Sequence, residues 1–550
     1  MRDERDMRDT RDVRYTDGLR GFLASRALLA FRAGLAGKAR RACLAGLACL
    51  AVMLSGCLVG PDYKRPETPQ AESWRVAPST SESMANLPWW ELLKDETLQQ
   101  LIRTALLENL DLQIASTNID EYQALLTIAK FDLIPSFNYS GHAFGFRNTN
   151  TTAFAIPGGG AIPAGGEKNG VTLNHEAIGA GVKWELDLWG RIRRSIEASR
   201  AQLLSKVENQ RVVILSLVGG VAESYFDLRA LDMQVDITKR TLKAWDESVR
   251  LSKLRYQQGD VPKLDLDRFT AERASAAAQL ADLERQVVKR ENQLNVLLGH
   301  KPSAVPRGRS LVEQPLPPDV PAGLPSELLQ RRPDIMKAEQ DLMAASANIG
   351  VAQATRFPQL ALTGQVGGAH LSISDTSSKL FATFSGAASL TGPIFNASAL
   401  GYQVKAAEAQ GNLAIAQYQK AILQAFQEVE DALIAVQKTK EQRVAQEQQV
   451  EALQSAYRLA DLRYQGGRAS YLDVLTVQRA LFDAELALAG TRRNQLVSVV
   501  QLYKALGGGW QTEVKPTQTG SSPAADGAPP SAPSSPAAPA PREPSKGGTQ

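Results

Sequence analysis

Two proline-free stretches, residues 164–261 and 394–515, constrain this chain more than anything else in it, because apolar residues recur in them at heptad spacing. In the first, Leu228, Leu231, Val235, Thr238, Leu242, Trp245, Val249, Ser252 and Tyr256 step by 3 and 4 without interruption. That period draws a narrow seam that supercoils against a neighbouring helix, not a broad stripe facing a round core. After a break at Gly259 to Pro262, Leu280, Leu283, Val287, Leu294 and Leu297 resume the pattern, so a second helix returns antiparallel beside the first. Val450, Leu453, Tyr457, Ala460 and Tyr464 repeat the plan before a break at Gly466-Gly467. Helices from about Arg191 to Tyr256 and from about Ala397 to Tyr464 are about 100 Å long at 1.5 Å per residue. No compact domain needs helices of that length.

The two stretches are copies. Leu254-Arg255-Tyr256-Gln257-Gln258-Gly259 matches Leu462-Arg463-Tyr464-Gln465-Gly466-Gly467, and Leu264-Asp265 then matches Leu472-Asp473. Upstream, Asp111 to Pro135 matches Asp334 to Pro358, and Leu298-Gly299 and Leu506-Gly507 close the two units. A tandem duplication follows, each half reading helix, strand, strand, long helix, turn, helix. The expected organisation is a leader and signal over 1–56, an N-terminal segment over 57–100, a first repeat over 101–310, a second over 311–510 and a disordered Pro/Ala/Ser-rich tail over 511–550.

Strand candidates lie between the helices. Val182 to Leu188 alternates apolar with charged side chains, and the runs 359–366 and 382–391 alternate as well. The strand opened by Phe137 and Tyr139 is less regular, and the glycine-rich segment 150–170 reads as a mobile hairpin loop. Four strands cannot close a barrel, and an open edge in hydrocarbon would leave its backbone groups without partners. Several copies must therefore pool their strands. Two copies give a barrel filled by its own side chains, whereas three give twelve strands and a lumen.

The three cysteines, Cys43, Cys49 and Cys57, all lie near the N-terminus. Arg40-Arg41, the apolar run Ala42 to Leu54 and then Leu54-Ser55-Gly56-Cys57 have the order of a secretory signal with its cleavage site. Leu-Ser-Gly-Cys resembles the bacterial lipobox, which makes Cys57 the expected lipidated N-terminus. Leu58 in place of aspartate points, by the same resemblance, to the outer membrane. With 62 basic against 58 acidic residues the chain lacks the charge footprint of a nucleic-acid binder. His142, His175, His300 and His370 are scattered, with no Cys or Glu at ligand spacing, and no serine elbow or further nucleophilic cysteine is present. Neither an enzyme nor a metal or cofactor site is expected.

The lipobox, Val59-Gly60-Pro61-Asp62-Tyr63 with Pro66, Trp89-Trp90, Trp184 to Arg193, Arg331-Arg332-Pro333-Asp334 and Gly392-Pro393-Ile394-Phe395 together resemble the lipoprotein branch of the TolC-like outer-membrane factor family. The resemblance covers roughly residues 57 to 510. It implies an α+β chain that forms a homotrimer: a twelve-stranded transmembrane β-barrel continued by a periplasmic antiparallel coiled-coil α-barrel. It also implies an exit duct for small molecules in a tripartite efflux system. Its partners would be a periplasmic membrane-fusion adaptor, an inner-membrane transporter of the resistance-nodulation-division type and outer-membrane lipid. Carried over by position, Tyr464 and Gly467 mark one hairpin turn and Tyr256 and Gly259 the other. Leu472, Asp473, Leu264 and Asp265 are then the candidates for the periplasmic gate, although Thr476 stands where the family often has a further acid. A plainer role for Asp265 and Asp473 is that of helix N-terminal acids favoured by the dipole. Trp184 and Trp189 read as interfacial aromatics, with Arg191, Arg193 and Arg194 facing headgroups or the lumen. Two rival readings are a type I protein-secretion duct and a periplasmic coiled-coil scaffold lipoprotein without a pore.

Overall fold

A computed structural model describes residues 58–67, 74–75, 90, 93–148, 154–156, 160–162, 171–315, 328–373 and 377–508. Cys57, the leader before it and the tail lie outside these residues. The first half begins with α1 (Glu96–Glu108) and α2 (Leu110–Phe131), followed by β1 (Ser136–Asn148), β2 (Phe154–Ile156), β3 (Gly160–Ile162) and β4 (Val171–Leu186). The long hairpin α3 (Arg191–Gln258) and α4 (Lys263–Leu297) completes it. The second half repeats the order with α5 (Leu328–Arg331), α6 (Pro333–Ala354), β5 (Gln359–Ile373), β6 (Ser377–Thr391), α7 (Ala397–Gln465) and α8 (Tyr471–Ala505).

The heptad seam of α3 faces its neighbours as its spacing demands. Leu228, Val235, Thr238, Trp245 and Ser252 are buried, and only Tyr256 at the end of the series is exposed. The main apolar core lies where α1, α3, α4 and α8 meet, around Val221, Ala222, Phe226, Leu294 and Val500. Within it Asp95, 1% exposed, caps α1 by accepting from the amides of Thr97 and Leu98. The same carboxylate accepts from the Tyr225 hydroxyl at 2.8 Å and from the Gln314 amide. Burial and this carboxylate push the Tyr225 phenol well above its ordinary value. Tyr225→Phe removes the bond to Asp95 and the one its hydroxyl accepts from the Gly308 amide, and is expected to cost about 1–3 kcal/mol, read as a lowered thermal midpoint in detergent.

The Arg331-Arg332-Pro333-Asp334 motif also has a structural explanation. Arg332, 5% exposed, donates to the Ala505 carbonyl at the end of α8 and to the carboxylates of Asp334 and Glu428. One guanidinium thus ties the start of α6 to α7 and supplies a cap for the last turn of α8, whose terminal carbonyls have no partner within the helix.

The large sheet runs β1-β4-β5-β6, every pair antiparallel. Opposed residues share a face. One face carries Phe137 beside Val182, then Tyr139, Ala180, Val366 and Phe384 in one row, and Leu186, Leu360 and Leu390 in another. Phe384 and Tyr139 on it are both 90% exposed, and Val366, Ile178 and Leu390 are exposed too. The other face carries Asn138, Gln365 and Ser385 in one row, and Ser136, Lys183 and Thr363 in the next. From Leu390 to Leu380 the apolar face of β6 runs roughly 33 Å along the strand, close to 25 Å of height at the tilt usual in membrane barrels. Among the described residues β1 and β6 each have a partner on one side only.

Three expectations need correction. The strand read over Val182 to Leu188 is β4, which starts at Val171 and stops at Leu186. Asp187 has left the ladder because its carboxylate accepts from the amides of Ile192 and Arg193, capping α3. The loop over 150–170 contains the paired strands β2 and β3. Of the arginines after Trp189, Arg194 turns inward and is 2% exposed, whereas Arg191 pairs with Glu185 and Arg193 with Asp187 while staying partly exposed. Trp184 donates to the Leu133 carbonyl, while Trp189 stacks on Phe357 and donates to the Pro358 carbonyl.

Candidate functional site

The candidate site is the pair of helical turns at the end of the long hairpins, remote from the sheet. Gly259 and Gly467 end the long helices with φ of +82° and +68°, and their surroundings are open. Only glycine enters that region without strain, and the amides beyond it close on the last carbonyls, Asp260 on Arg255 and Arg468 on Arg463. The tight turns let α4 and α8 return immediately beside α3 and α7.

Just inside the turns an aromatic cluster holds one hairpin to the other. Phe269 and Tyr471 have ring centroids 3.8 Å apart, Trp245 meets Phe269 edge-on at 6.1 Å, and Tyr464 meets Tyr471 at 6.1 Å. The Arg255 guanidinium lies 4.9 Å above the Tyr464 ring, and Arg479 pairs with Glu272 between the hairpins. Tyr471 is 6% exposed, and its hydroxyl lacks a hydrogen-bond partner among the described residues. Burial first, then the carboxylates of Asp265 and Glu272, push that phenol well above its ordinary value.

Of the residues singled out from sequence, Tyr464 is in this cluster and Tyr256 is exposed at its margin. Leu264 and Leu472 are 57% and 52% exposed and belong to no buried cluster. Asp473 sits at the third position of α8, where its carboxylate accepts from the Ser470 amide at 3.1 Å and completes a capping box. Asp265 lies in the first turn of α4, 3.9 Å from Arg268. Both acids thus stand in the first turn of their helices at the tip, and of the two Asp473 caps its own helix. Phe269 and Tyr471 escaped the sequence reading because each heptad seam was followed within its own repeat, and these rings pack between repeats. The signal for Tyr471 was present: an aromatic one position after a helix-capping serine.

Among the described residues no group of three or more His, Cys, Asp or Glu side chains is placed to hold a metal ion. No described helix is long and apolar enough to cross a membrane.

The family model described as outer membrane efflux protein matches residues 101–300 and 324–508. The chain belongs to that family. Like other outer membrane efflux proteins it is a transport conduit of the outer membrane. The toluene efflux pump outer membrane protein TtgC of Pseudomonas putida is 37% identical over 471 residues, which are 84% of this chain and 94% of that protein. The cation efflux system protein CusC of Escherichia coli is 31% identical over 473 residues, 84% of this chain and 97% of that protein. Among solved structures, the open state of the Neisseria gonorrhoeae MtrE outer membrane channel is 30% identical with a TM-score of 0.70, covering 82% of this chain and 99% of that one. The outer-membrane channel OprN matches with a TM-score of 0.72 at 28% identity, over 83% of this chain and 100% of that chain. The mixed α+β architecture is shared throughout.

Proposed function

We propose that three copies of this chain close their sheets into one twelve-stranded barrel around a water-filled lumen, and that their hairpins continue it as a periplasmic helical tunnel. The observation that carries this reading is the sheet: from the Leu186–Leu360–Leu390 row to the Tyr139–Val366–Phe384 row one face is apolar, with Tyr139, Phe384 and Leu390 exposed, and the other is polar, while both outer strands are available for further pairing. Inside a bilayer those free edges demand partners, and pairing β6 of one copy with β1 of the next satisfies them all. In this reading Cys57 carries the lipid, and the duct serves a tripartite pump with a periplasmic adaptor and an inner-membrane transporter of the resistance-nodulation-division type. Small molecules are the proposed cargo, chosen by the transporter that loads the duct. The hairpin tips close the periplasmic end, with Leu264, Asp265, Leu472 and Asp473 bordering the opening and the Tyr464–Tyr471 cluster holding the hairpins together.

Purified full-length protein is expected to run as a trimer by light scattering in detergent and to conduct ions in planar bilayers once its tip is loosened by substitution. A protein that stays monomeric in detergent and in membranes would overturn the proposal. A trimer that never conducts, even with a loosened tip, would favour the scaffold reading.

A further inference from the structure

Residues 58–66 lie across the junction between the two repeats. Directly below the β4–β5 pairing, α3 of the first repeat packs along α6 of the second, and Trp189 bridges them through Phe357 and Pro358. On this seam the Val59 amide donates to the Trp189 carbonyl at 3.2 Å. Arg194 then grips the segment: its guanidinium donates to the carbonyls of Val59 and Gly60, both at 3.2 Å, and to Asp62 at 2.8 Å, while Glu197 holds it from below. Further along, Tyr63 and Arg65 both donate to Glu339 of α6, at 2.9 and 2.8 Å. The segment is therefore bonded to the first repeat at one end and to the second at the other.

The contact is close enough to dictate residue type. A Cβ on Gly60, whose φ is +105°, would come within 2.4 Å of the Gly350 backbone, and one on Gly350 would sit 2.9 Å from the Arg194 side chain. With its side chain 2% exposed, Arg194 is enclosed by the segment it holds.

We propose that residues 58–66 are a staple across the inter-repeat seam, and that Arg194 is the positioning residue that fastens it. The staple holds the base of the β4–β5 pair in register. It also fixes Leu58 against Gly190 at the foot of the sheet. The fastening depends on bonds within the chain and operates without a lipid.

The test uses the full-length chain in detergent, both as processed and as Cys57→Ala. Two readings are taken: the rate of tryptic cleavage after Lys64, by intact mass, and the temperature at which the SDS-resistant oligomer dissociates. Arg194→Met is expected to speed cleavage by about tenfold or more, because proteolysis of a docked segment follows its local opening, and to lower the dissociation temperature. The same shifts should appear in the Cys57→Ala background. Gly60→Ala, which wedges the segment outward and leaves Arg194 intact, is the second variant, informative even if Arg194→Met does not fold. Arg285→Gln, which breaks only an exposed ion pair within α4, is the control and should change neither reading. Unchanged cleavage in both variants, or release of the segment with an oligomer as stable as before, would overturn the staple. Failure of the pore reading would show instead as absent conductance with the cleavage difference preserved.

Discussion

Phe384→Lys is expected to empty the outer-membrane fraction of this protein, whereas Ser385→Lys, one residue along, should leave insertion intact. Phe384 is 90% exposed on the apolar face of β6, in one row with Val366, Ala180 and Tyr139. A lysine facing the middle of a bilayer costs about 2–4 kcal/mol, hence roughly 6–12 kcal/mol in a barrel built from three copies. That is comparable to the whole stability of a typical fold. Ser385 lies beside Gln365 on the polar face, where a charge meets water. Fractionation with immunoblotting and the heat-dependent mobility of folded barrels measures both. Equal insertion of the two variants would mean that the faces are reversed or that the sheet does not enter lipid.

The second large effect belongs to the hairpin tip. Tyr471→Ala removes the ring that Phe269 and Tyr464 pack on, a truncation that costs about 3–5 kcal/mol when the site cannot collapse. If that packing exists only in the closed tip, the closed-to-open ratio falls by more than about a hundredfold, at 1.4 kcal/mol for each factor of ten. Single-channel recording should show a persistent conducting state. Leu472→Ala offers a contrast, because Leu472 is half exposed and packs in no buried cluster. Its removal widens an opening without unfastening the hairpins, so brief openings of a mostly closed channel are expected. A native-like trimer of Tyr471→Ala with unchanged conductance would remove the cluster from the gate.

Much of this architecture was legible in the residues because it rests on local periodicity. The seam from Leu228 to Ser252 is inward-facing, and the repeated Leu-Arg-Tyr-Gln strings fall at the two turns. Strand lengths were underestimated: the alternation around Gly179, Gly181, Gly364 and Gly367 is interrupted wherever glycine replaces a side chain, although the backbone ladder continues through them. Arg194 was misplaced because a long cation after an aromatic pair reads equally well as a headgroup contact. What decides its direction is the carbonyl pair of Val59 and Gly60, more than 130 residues away in sequence. At the tip, the spacing of Asp473 from Ser470 allowed a capping box and the structure forms one. Contacts between repeats, such as Phe269 on Tyr471, have no signature in a pattern followed within either repeat.

The two turns are copies in sequence but not in strength. Helix α8 begins with a serine whose hydroxyl and an aspartate whose carboxylate satisfy two backbone amides, whereas α4 begins after Pro262 with no side-chain cap. A reciprocal cap of this kind is worth about 1 kcal/mol, or several-fold in how often the first turn frays. Amide exchange at Lys263 to Leu266 should therefore outpace that at Tyr471 to Val474. In a ring of three such chains stiff and loose teeth alternate, and any deformation of the rim begins at the loose ones.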